Sequence, residues 1–288
     1  MKYYFLFNPL AGKGRAEHFA LELDRENPDA TKCYDMTKID SFAEFLTKLS
    51  AEDALVICGG DGTLNGFINK TANLEIKNDI LYFPAGSGND FMKDLNRVQE
   101  DKEFRINDYI KNLPVVTIKG RDYRFINGVG FGIDGVVCAE GDRLRSKGKK
   151  VDYTTLAVKC LARFKPVNAT VTIDGVEKKY QNVWMTTTMK GRFFGGGMMV
   201  APDQKRDDKD GKISVLVAHS LSRLRILTLF PSIFKGKHIK YTKYIDLLKC
   251  DSISVEYDTP CALQMDGEPM LEITGYSATI KSKEKVLV

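Results

Sequence analysis

Three glycine-rich segments follow three short apolar runs in the first third of the chain. They read N-P-L-A-G-K-G at 8–14, G-G-D-G-T at 59–63 and P-A-G-S-G-N-D at 84–90. Apolar runs that alternate with longer amphipathic stretches are typical of βαβ units with a parallel sheet. In such a sheet the loops after the strands meet at one edge, which is where ligands bind. The pattern therefore predicts an α/β domain with a ligand site at that edge.

The composition of these loops indicates what the ligand is. Glycine lets backbone N–H groups approach a phosphate chain, and each loop leads into an expected helix start whose dipole favours anions. Asp61 and Asp90 add carboxylates, which would repel phosphate unless Mg²⁺ lay between them. One such loop alone is more often a tight turn. Three at one sheet edge favour a magnesium–nucleotide site.

The sequence lacks the motifs of several other classes of enzyme. There is no G-x-x-x-x-G-K-[ST], no H-R-D with D-F-G, no H-E-x-x-H and no G-x-S-x-G. The six cysteines are scattered, which argues against a zinc site or a disulfide framework. A net charge of +5 fits anionic partners but is too small to indicate nucleic acid. We therefore expect no nucleic-acid partner.

The sequence pattern changes after Val115, where short β-rich runs alternate with Asp-Gly turns. This pattern predicts an antiparallel sandwich or a partial barrel, interrupted by two helices near 153–164 and 222–234. We expect an α/β domain over residues 1–118 and an all-β sandwich domain over 119–288. Because free edge strands of a sandwich can pair between copies, a homodimer stays open as an alternative.

The sequence also bears on the membrane. No apolar run approaches the roughly 18 residues of a membrane span, and the N-terminus lacks a secretion signal. These features predict a cytoplasmic protein. Basic residues surround an apolar helix, and such a helix attracts anionic headgroups, although a solvated helix explains it equally well. The residues are Arg143, Arg145, Lys147, Lys149, Lys150, Arg163 and Lys165.

The three motifs N-P-x-A-G, G-G-D-G-T-L-N and P-x-G-S-G-N-D-F together resemble the diacylglycerol-kinase catalytic family, including its bacterial lipid-kinase branch, which is related to sphingosine and ceramide kinases. G-G-D-G alone is similar in NAD kinases and phosphofructokinase-like proteins. The later Q-M-D-G-E-P at 264–269 and F-K-G-K-H-I at 234–239 favour the lipid kinases. The resemblance spans nearly the whole chain. It implies a phosphofructokinase/NAD-kinase-like α/β domain, with ATP in the cleft between it and the sandwich.

The resemblance implies an ATP- and Mg²⁺-dependent kinase acting on the hydroxyl of diacylglycerol or a similar lipid alcohol at a membrane surface. Asp61 and Asp90 would face the phosphates and the catalytic Mg²⁺, and Lys13 matches a basic position near the transferred phosphate. The nucleotide would be lined by Asn8, Pro9, Leu10, Ala11, Gly12, Lys13, Thr37, Gly59, Gly60, Asp61, Gly62, Thr63, Leu64, Asn65, Gly66, Gly86, Ser87 and Asn89.

Two acidic turns complete the implied site. A primary alcohol is a poor nucleophile, so a positioned carboxylate helps by taking its proton. Asp266 and Glu268 in the Asp-Gly-Glu turn would supply that base, and the choice between them stays open. Without the resemblance, an Asp-Gly pair more often marks a simple hairpin. The cluster at 207–212 looks like the family's structural-magnesium loop, with Asp210 ligating by its side chain and Asp207 and Lys212 by backbone oxygens; Asp208 in place of Asp210 stays open.

The chain departs from the family pattern at three positions. Gly66 stands where relatives often carry Glu, Ser87 where they carry Thr, and Thr117 where many carry Asp, for which Asp122 could substitute. Two alternatives therefore remain. One is an NAD-kinase-like enzyme that phosphorylates a soluble acceptor, and the other is a nucleotide-binding regulator without catalysis.

Overall fold

The computed structural model of the protein describes residues 1–86, 88–97, 103–206 and 211–280, apart from the side chain of Lys13. The chain forms two compact units, Met1–Asn112 and Leu113–Val288. The division falls six residues before the expected boundary after residue 118. The reason is that Val115–Ile118 pairs antiparallel with Ser277–Thr279 and so belongs to the second unit.

The first unit is built on a five-stranded sheet, in which four parallel strands are joined by helices. This confirms the predicted parallel α/β domain. The last strand joins the edge antiparallel, so that the order is β2-β1-β3-β4-β5. The elements are β1 Tyr3–Phe7, α1 Arg15–Glu26, β2 Thr31–Asp35, α2 Phe42–Leu46, β3 Ala54–Gly59, α3 Asp61–Lys70, β4 Asp79–Pro84, α4 Asp90–Asp94, β5 Phe104–Arg105 and α5 Asn107–Ile110.

The central strand β3 is buried along its whole length, as expected for a parallel strand covered on both faces. Ala16 and Ala20 of α1 pack on one face of the sheet with Phe5 and Phe7. Helix α3 begins at Asp61, within the second glycine loop. Gly60, whose backbone is extended, is its N-cap.

The second unit contains a nine-stranded antiparallel sheet whose path runs β14-β13-β10-β8-β15-β16-β6-β7, with β9 between β10 and β15. Its elements are β6 Val115–Ile118, β7 Arg121–Arg124, β8 Gly128–Gly132, α6 Ile133–Ser146, α7 Tyr153–Arg163, β9 Val167–Ile173, β10 Val176–Met189, β11 Phe193–Phe194, β12 Met198–Met199, β13 Ile213–His219, α8 Arg223–Leu229, β14 Ile245–Cys250, β15 Ser252–Met265 and β16 Glu268–Thr279.

Two strands of 14 residues, β10 and β15, give this sheet its sandwich-like form. Each pairs with β9 along one half and with β8 along the other, and each shifts register between the halves. The faces that turn toward each other enclose an apolar core that includes Phe131, Tyr257 and Tyr276. The predicted all-β sandwich domain is thereby confirmed.

Helices cover part of the outside of this sheet. The helices predicted near 153–164 and 222–234 are present as α7, and as α8 followed by a 3₁₀ turn at Phe230–Lys235. Helix α6 was not predicted, because Gly135 and Gly141 weaken its helical pattern. Both glycines are contact points: a Cβ on Gly135 would lie 2.7 Å from the Leu263 nitrogen, and one on Gly141 would lie 2.7 Å from the Tyr153 ring. Close packing therefore decides this helix.

Within the described ranges, none of the helices combines the length and the apolar character that crossing a bilayer requires.

Candidate active site

The three glycine loops of the first unit touch one another at the carboxyl edge of the sheet. A Cβ on Gly12 would overlap the Ala85 carbonyl oxygen and lie 3.1 Å from its carbon, so the first loop lies directly on the third. A Cβ on Gly60 would lie 3.0 Å from the Gly86 Cα, so the second and third loops are also in close contact. Only residues without side chains can approach in this way. The structure thus brings together the loops that the sequence predicted to converge.

Asp61 links the second and third loops through its carboxylate. Its Oδ2 accepts a hydrogen bond of 2.9 Å from the Asp90 backbone N–H, and its Oδ1 accepts one of 2.9 Å from the Phe91 N–H. N–H groups in the first turn of a helix such as α4 find no acceptor within the helix, so Asp61 caps a helix to which it does not belong. Asp61 is therefore part of the scaffold of the loops as well as a candidate magnesium ligand.

Asn89 immediately precedes α4 and has the left-handed backbone conformation, with φ of 51°. Its side-chain amide donates to the Gly86 carbonyl at 2.9 Å. The other amide atom, Oδ1, is buried and has no hydrogen-bond partner among the described residues. A buried acceptor of this kind carries a free-energy cost unless a donor meets it. This atom is suited to a donor supplied by a ligand at the loop edge.

The donor set fits a magnesium–nucleotide site. Asp90 is 4% exposed, and its Oδ1 lies 3.8 Å from the Lys93 ammonium. A carboxylate offers about four lone-pair sites, so Asp61 can hold a metal ion while it accepts the two backbone N–H groups. Mg²⁺ is usually held by one or two carboxylates together with phosphates and water. Two neighbouring carboxylates beside glycine amides are such a set, even though the described residues contain no group of three or more His, Cys, Asp or Glu side chains able to hold a metal.

The first loop and Thr37, which follows β2, supply polar groups at the same edge of the sheet. Asn8 closes a tight turn, accepting the Leu10 N–H on Oδ1 at 3.0 Å and the Ala11 N–H on its carbonyl at 2.9 Å. Thr37 follows β2, and its hydroxyl donates to Asp35 at 2.6 Å, which lowers the pKa of that carboxyl. Parallel strand ends point the same way. Thr37 is exposed and available to a ligand.

The residues at the start of helix α3 differ in their exposure. Thr63, Leu64 and Asn65 are 5%, 0% and 3% exposed, so their side chains belong to the interior. Gly66 faces Met36, with a Cβ at that position 3.8 Å from the methionine methyl group. The place of these residues in the nucleotide site stays a prediction. Gly60, Asp61 and Gly62 remain partly exposed.

The two acids of the Asp-Gly-Glu turn have different surroundings. Asp266 is 7% exposed, and its carboxylate accepts the N–H groups of Ile126, Asn127 and Gly128 at 2.6, 2.8 and 2.9 Å. Its lone pairs are thus largely occupied, and it holds the segment before β8 against the turn. Glu268 lies on the other side of Gly267 and is exposed. Of the two acids, Glu268 is the one available to take a proton from an incoming hydroxyl.

A buried carboxyl that the sequence analysis missed lies beside this turn. Both oxygens of Asp134 and the amide nitrogen of Gln264 are buried without a well-formed hydrogen bond in the described structure. A Cβ on Gly130 would overlap Asp134 and lie 2.9 Å from that nitrogen, so the glycine makes room for the two groups. Burial raises the pKa of Asp134 to about 7. The strand–G-F-G-I-D–helix sequence could have indicated a polar residue at a helix start.

Two side chains hold the backbone of Gly267, one from strand β15 and one from helix α6. The Gln264 side-chain oxygen accepts the Gly267 N–H at 2.9 Å, and the Cys138 thiol donates to the Gly267 carbonyl at 2.9 Å. Gly267 itself has φ of 92°, where a side chain would be strained. These contacts hold the turn in one conformation and fix the backbone that carries Glu268.

Some predicted site residues lie outside the described part of the chain. They are Ser87, the metal ligands Asp207 and Asp210, the alternative ligand Asp208, and the side chain of Lys13. Lys212 is described, and its carbonyl oxygen accepts a hydrogen bond of 2.8 Å from the buried amide of Gln204. A carbonyl oxygen can accept twice, so the role predicted for Lys212 remains a prediction.

Comparison with known proteins identifies the family. The profile of the "Diacylglycerol kinase catalytic domain" matches residues 2–116, and that of the "YegS C-terminal NAD kinase beta sandwich-like domain" matches residues 127–281. The chain therefore belongs to the diacylglycerol-kinase catalytic family, in its bacterial lipid-kinase branch. The resemblance stated from the three motifs is confirmed, and so is the class of activity, a kinase.

Individual relatives agree with this assignment. The "Diacylglycerol kinase" of Mycobacterium tuberculosis is 25% identical over 264 residues, which cover 87% of this chain and 84% of that protein. A crystal structure of a diacylglycerol kinase from Bacillus anthracis is 20% identical, with a TM-score of 0.63 and coverage of 96% and 93%. A second crystal structure from that organism is 23% identical, with a TM-score of 0.67 and coverage of 96% and 91%. These structures show the same fold.

Proposed function

We propose that the protein is an ATP- and Mg²⁺-dependent kinase that phosphorylates the hydroxyl of diacylglycerol or a similar lipid alcohol. The observation that carries the proposal is the meeting of three glycine loops at one sheet edge, with Asp61 joining two of them. Phosphoryl transfer needs mainly positioning and neutralisation of charge, which backbone amides and a metal-holding carboxylate supply. Bound Mg²⁺ would neutralise charge on the phosphates.

In this proposal each described residue has a defined task. The N–H groups around Gly12, Gly60 and Gly86 bind phosphate oxygens, and Asp61 and Asp90 would hold the Mg²⁺. Glu268 takes the proton of the acceptor hydroxyl while that oxygen forms its bond to the γ-phosphorus and the bond to the leaving ADP oxygen breaks. Asp266 keeps the turn in place through its three backbone hydrogen bonds. Lys13 near the transferred phosphate remains part of the proposal on family grounds.

The proposal includes the setting of the reaction. A kinase whose acceptor is a lipid alcohol must reach a membrane surface, so we propose that the protein acts there as a peripheral protein on the cytoplasmic side. Its partner in this setting is the lipid substrate. The mild positive charge of the chain is compatible with such a surface.

The experiment is incubation with γ-labelled radioactive ATP, Mg²⁺ and a total lipid extract, followed by chromatography of the lipid phase. We expect one labelled phospholipid, which disappears when EDTA removes Mg²⁺ and when Glu268→Gln replaces the wild-type protein. The matched control is Glu256→Gln, which changes an exposed glutamate on β15 and should label lipid normally.

Two other results would contradict the proposal. Label transferred to NAD rather than lipid would make the protein an NAD-kinase-like enzyme with a soluble acceptor. Thermal stabilisation by ATP without turnover on any acceptor would make it a nucleotide-binding regulator.

A further inference from the structure

One segment of the second unit accounts for the positive charge of the protein. Residues 220–244 contain six Lys or Arg residues and no Asp or Glu. Because the whole chain has 43 basic and 38 acidic residues, the remainder of the chain is within one charge of neutral. The six cations are Arg223, Arg225, Lys235, Lys237, Lys240 and Lys243. A charge concentrated in this way acts on partners very differently from the same charge spread over a surface.

The structure folds this segment into one layer on the outside of the sheet. Helix α8 continues into 3₁₀ turns at Phe230–Lys235 and Lys237–Lys240. The inward side chains of this segment, among them Leu221, Ile226 and Ile233, join an apolar cluster with Trp184 of β10. The other side of the layer therefore faces solvent.

All six cations are exposed on this layer, together with three large apolar side chains. Leu224 is 75% exposed, Tyr241 is 47% exposed and Phe234 is 37% exposed. Single exposed apolar residues are ordinary, but three within one cationic segment form a mixed surface. We call these nine residues the basic face.

The cations of the basic face keep their charge available. Arg223 donates to the carbonyls of Ala162 and Phe164 at 2.8 and 3.0 Å, and Arg225 donates to the Tyr244 hydroxyl, all of which are neutral acceptors. The basic stretch that the sequence analysis emphasised is different. There, Arg143 and Arg145 form ion pairs with Glu140 and Asp142 on the same helix. Ion pairing reduces the charge of α6, so the basic face is the stronger attractor of anions.

We propose that the basic face seats the protein on a bilayer that contains anionic phospholipids. Each cation near such a surface contributes roughly fivefold to the binding constant, and lysine stems can bury their methylenes while the ammonium group stays at the headgroups. Leucine and aromatic side chains enter the boundary between headgroups and acyl chains. The exposed Leu224 favours a bilayer over nucleic acid, whose phosphate backbone offers an aliphatic side chain no partner. This inference rests on the proposed function, because it supplies the route to a lipid acceptor.

The first test is co-sedimentation with vesicles of phosphatidylcholine alone or with one-third phosphatidylglycerol, at low and at physiological salt. Wild-type protein should bind the anionic vesicles at least tenfold more tightly than the neutral ones, and salt should weaken the binding. The variant with Lys235, Lys237, Lys240 and Lys243 all changed to Gln should lose at least tenfold. The matched control changes four exposed lysines of the first unit, Lys2, Lys32, Lys48 and Lys111, to Gln and should bind like wild type.

A second variant, Leu224→Ser with Tyr241→Ser, tests the contribution of the apolar side chains of the basic face to vesicle binding. Both residues are exposed, so folding should be retained, and circular dichroism verifies it. Binding that persists at high salt in the wild-type protein should fall in this variant. Equal vesicle binding by the wild-type, four-lysine and apolar variants would overturn the proposal. So would tight wild-type binding to single-stranded RNA with none to vesicles, since that would assign the surface to nucleic acid.

A turnover assay separates this inference from the proposed function. With short-chain diacylglycerol in neutral detergent micelles, the four-lysine variant should match the wild-type rate, whereas on anionic vesicles its rate should fall at least tenfold. If wild-type protein phosphorylates no lipid in either system while the vesicle-binding pattern holds, the proposed function fails and the basic face stands. If the variant loses turnover equally in micelles and vesicles, the lysines act in catalysis and the basic face is overturned.

Discussion

The Asp61 carboxylate accepts the backbone N–H of Asp90 at 2.9 Å, which joins two loops that lie 29 residues apart in the chain. With the second bond, to Phe91, it holds the start of a helix of only five residues. So short a helix is not stable by itself. The Asp61 side chain therefore builds the edge at which the proposed nucleotide binds, in addition to its proposed contact with metal.

The double role of Asp61 makes Asp61→Asn informative. An asparagine can accept at only one of the two N–H groups and points a donor at the other, so the free energy of unfolding should fall by about 1–3 kcal/mol. Phosphoryl transfer to lipid should be abolished while the protein remains folded. Urea denaturation and the labelled-ATP assay measure the two effects. Asp79→Asn, which alters an exposed ion pair with Arg105, should change stability by less than about 1 kcal/mol; full activity of Asp61→Asn would refute the assigned role.

The contact between the first and third loops depends on Gly12. Gly12→Ala adds a methyl group that overlaps the Ala85 carbonyl, so we expect a loss of about 2–4 kcal/mol in unfolding free energy from backbone strain and overlap together. Gly14→Ala is the matched control, because Gly14 also has positive φ but its Cβ would meet nothing within 4 Å. That variant should lose only about 1–2 kcal/mol, the cost of the left-handed backbone.

Thermal stabilisation by ATP gives the functional readout for the same pair of variants. It should be reduced in Gly12→Ala and retained in Gly14→Ala, since only the first displaces the loops from each other. Equal losses in both variants would show that the loop contact has no effect on nucleotide binding.

Asp134 should make stability depend on pH. Folding raises the pKa of this acid from 3.8 to about 7, so the native state binds the proton more tightly than the unfolded state. The free energy of unfolding therefore falls as pH rises from about 4 to about 7 and then levels off. Asp134→Asn removes this pH-dependent contribution to the free energy of unfolding. The variant should be more stable than wild type at pH 8, by up to about 4 kcal/mol.

Urea denaturation at pH 5 and pH 8 measures the effect, and the advantage of Asp134→Asn should be smaller at pH 5. Asp142→Asn, which changes an exposed aspartate on the same helix and leaves Asp134 in place, is the control and should keep the pH profile of the wild type. A wild-type protein with the same pH profile as Asp134→Asn would mean that the buried carboxyl does not titrate in this range.

Mutation of the two acids of the Asp-Gly-Glu turn should have different effects, on stability for Asp266 and on kcat for Glu268. Asp266→Asn leaves some of the three N–H groups without an acceptor, so we expect a loss of about 2–4 kcal/mol in unfolding free energy. Glu268→Gln changes an exposed side chain and should alter stability by less than about 0.5 kcal/mol, yet lower kcat at least a hundredfold. Denaturation and steady-state kinetics test both. If the Glu268→Gln enzyme has a normal kcat, Glu268 is not the general base, and Asp266 becomes the candidate.

The strand-then-glycine pattern was sufficient to predict the parallel sheet and the meeting of its loops, because both follow from local periodicity and from the direction of parallel strands. The pattern did not predict helix α6, because its glycines lower helical propensity. These positions require glycine because the backbone of β15 and the ring of Tyr153 pack directly against them. The pattern also gave no sign that the Leu64 side chain, predicted among the residues that line the nucleotide, is fully buried.

By itself, then, the sequence determined the family, the two kinds of domain and the loops that carry phosphate chemistry, since motifs and periodicity are local properties of a chain. Only the tertiary structure decided that Asp61 caps a distant helix, that Asp266 is engaged by three amides while Glu268 is exposed, and that Asp134 is buried with its oxygens unsatisfied. These depend on contacts between residues up to 140 positions apart. No local pattern encodes them, because hydrogen bonding and desolvation are set by what folding brings alongside each group.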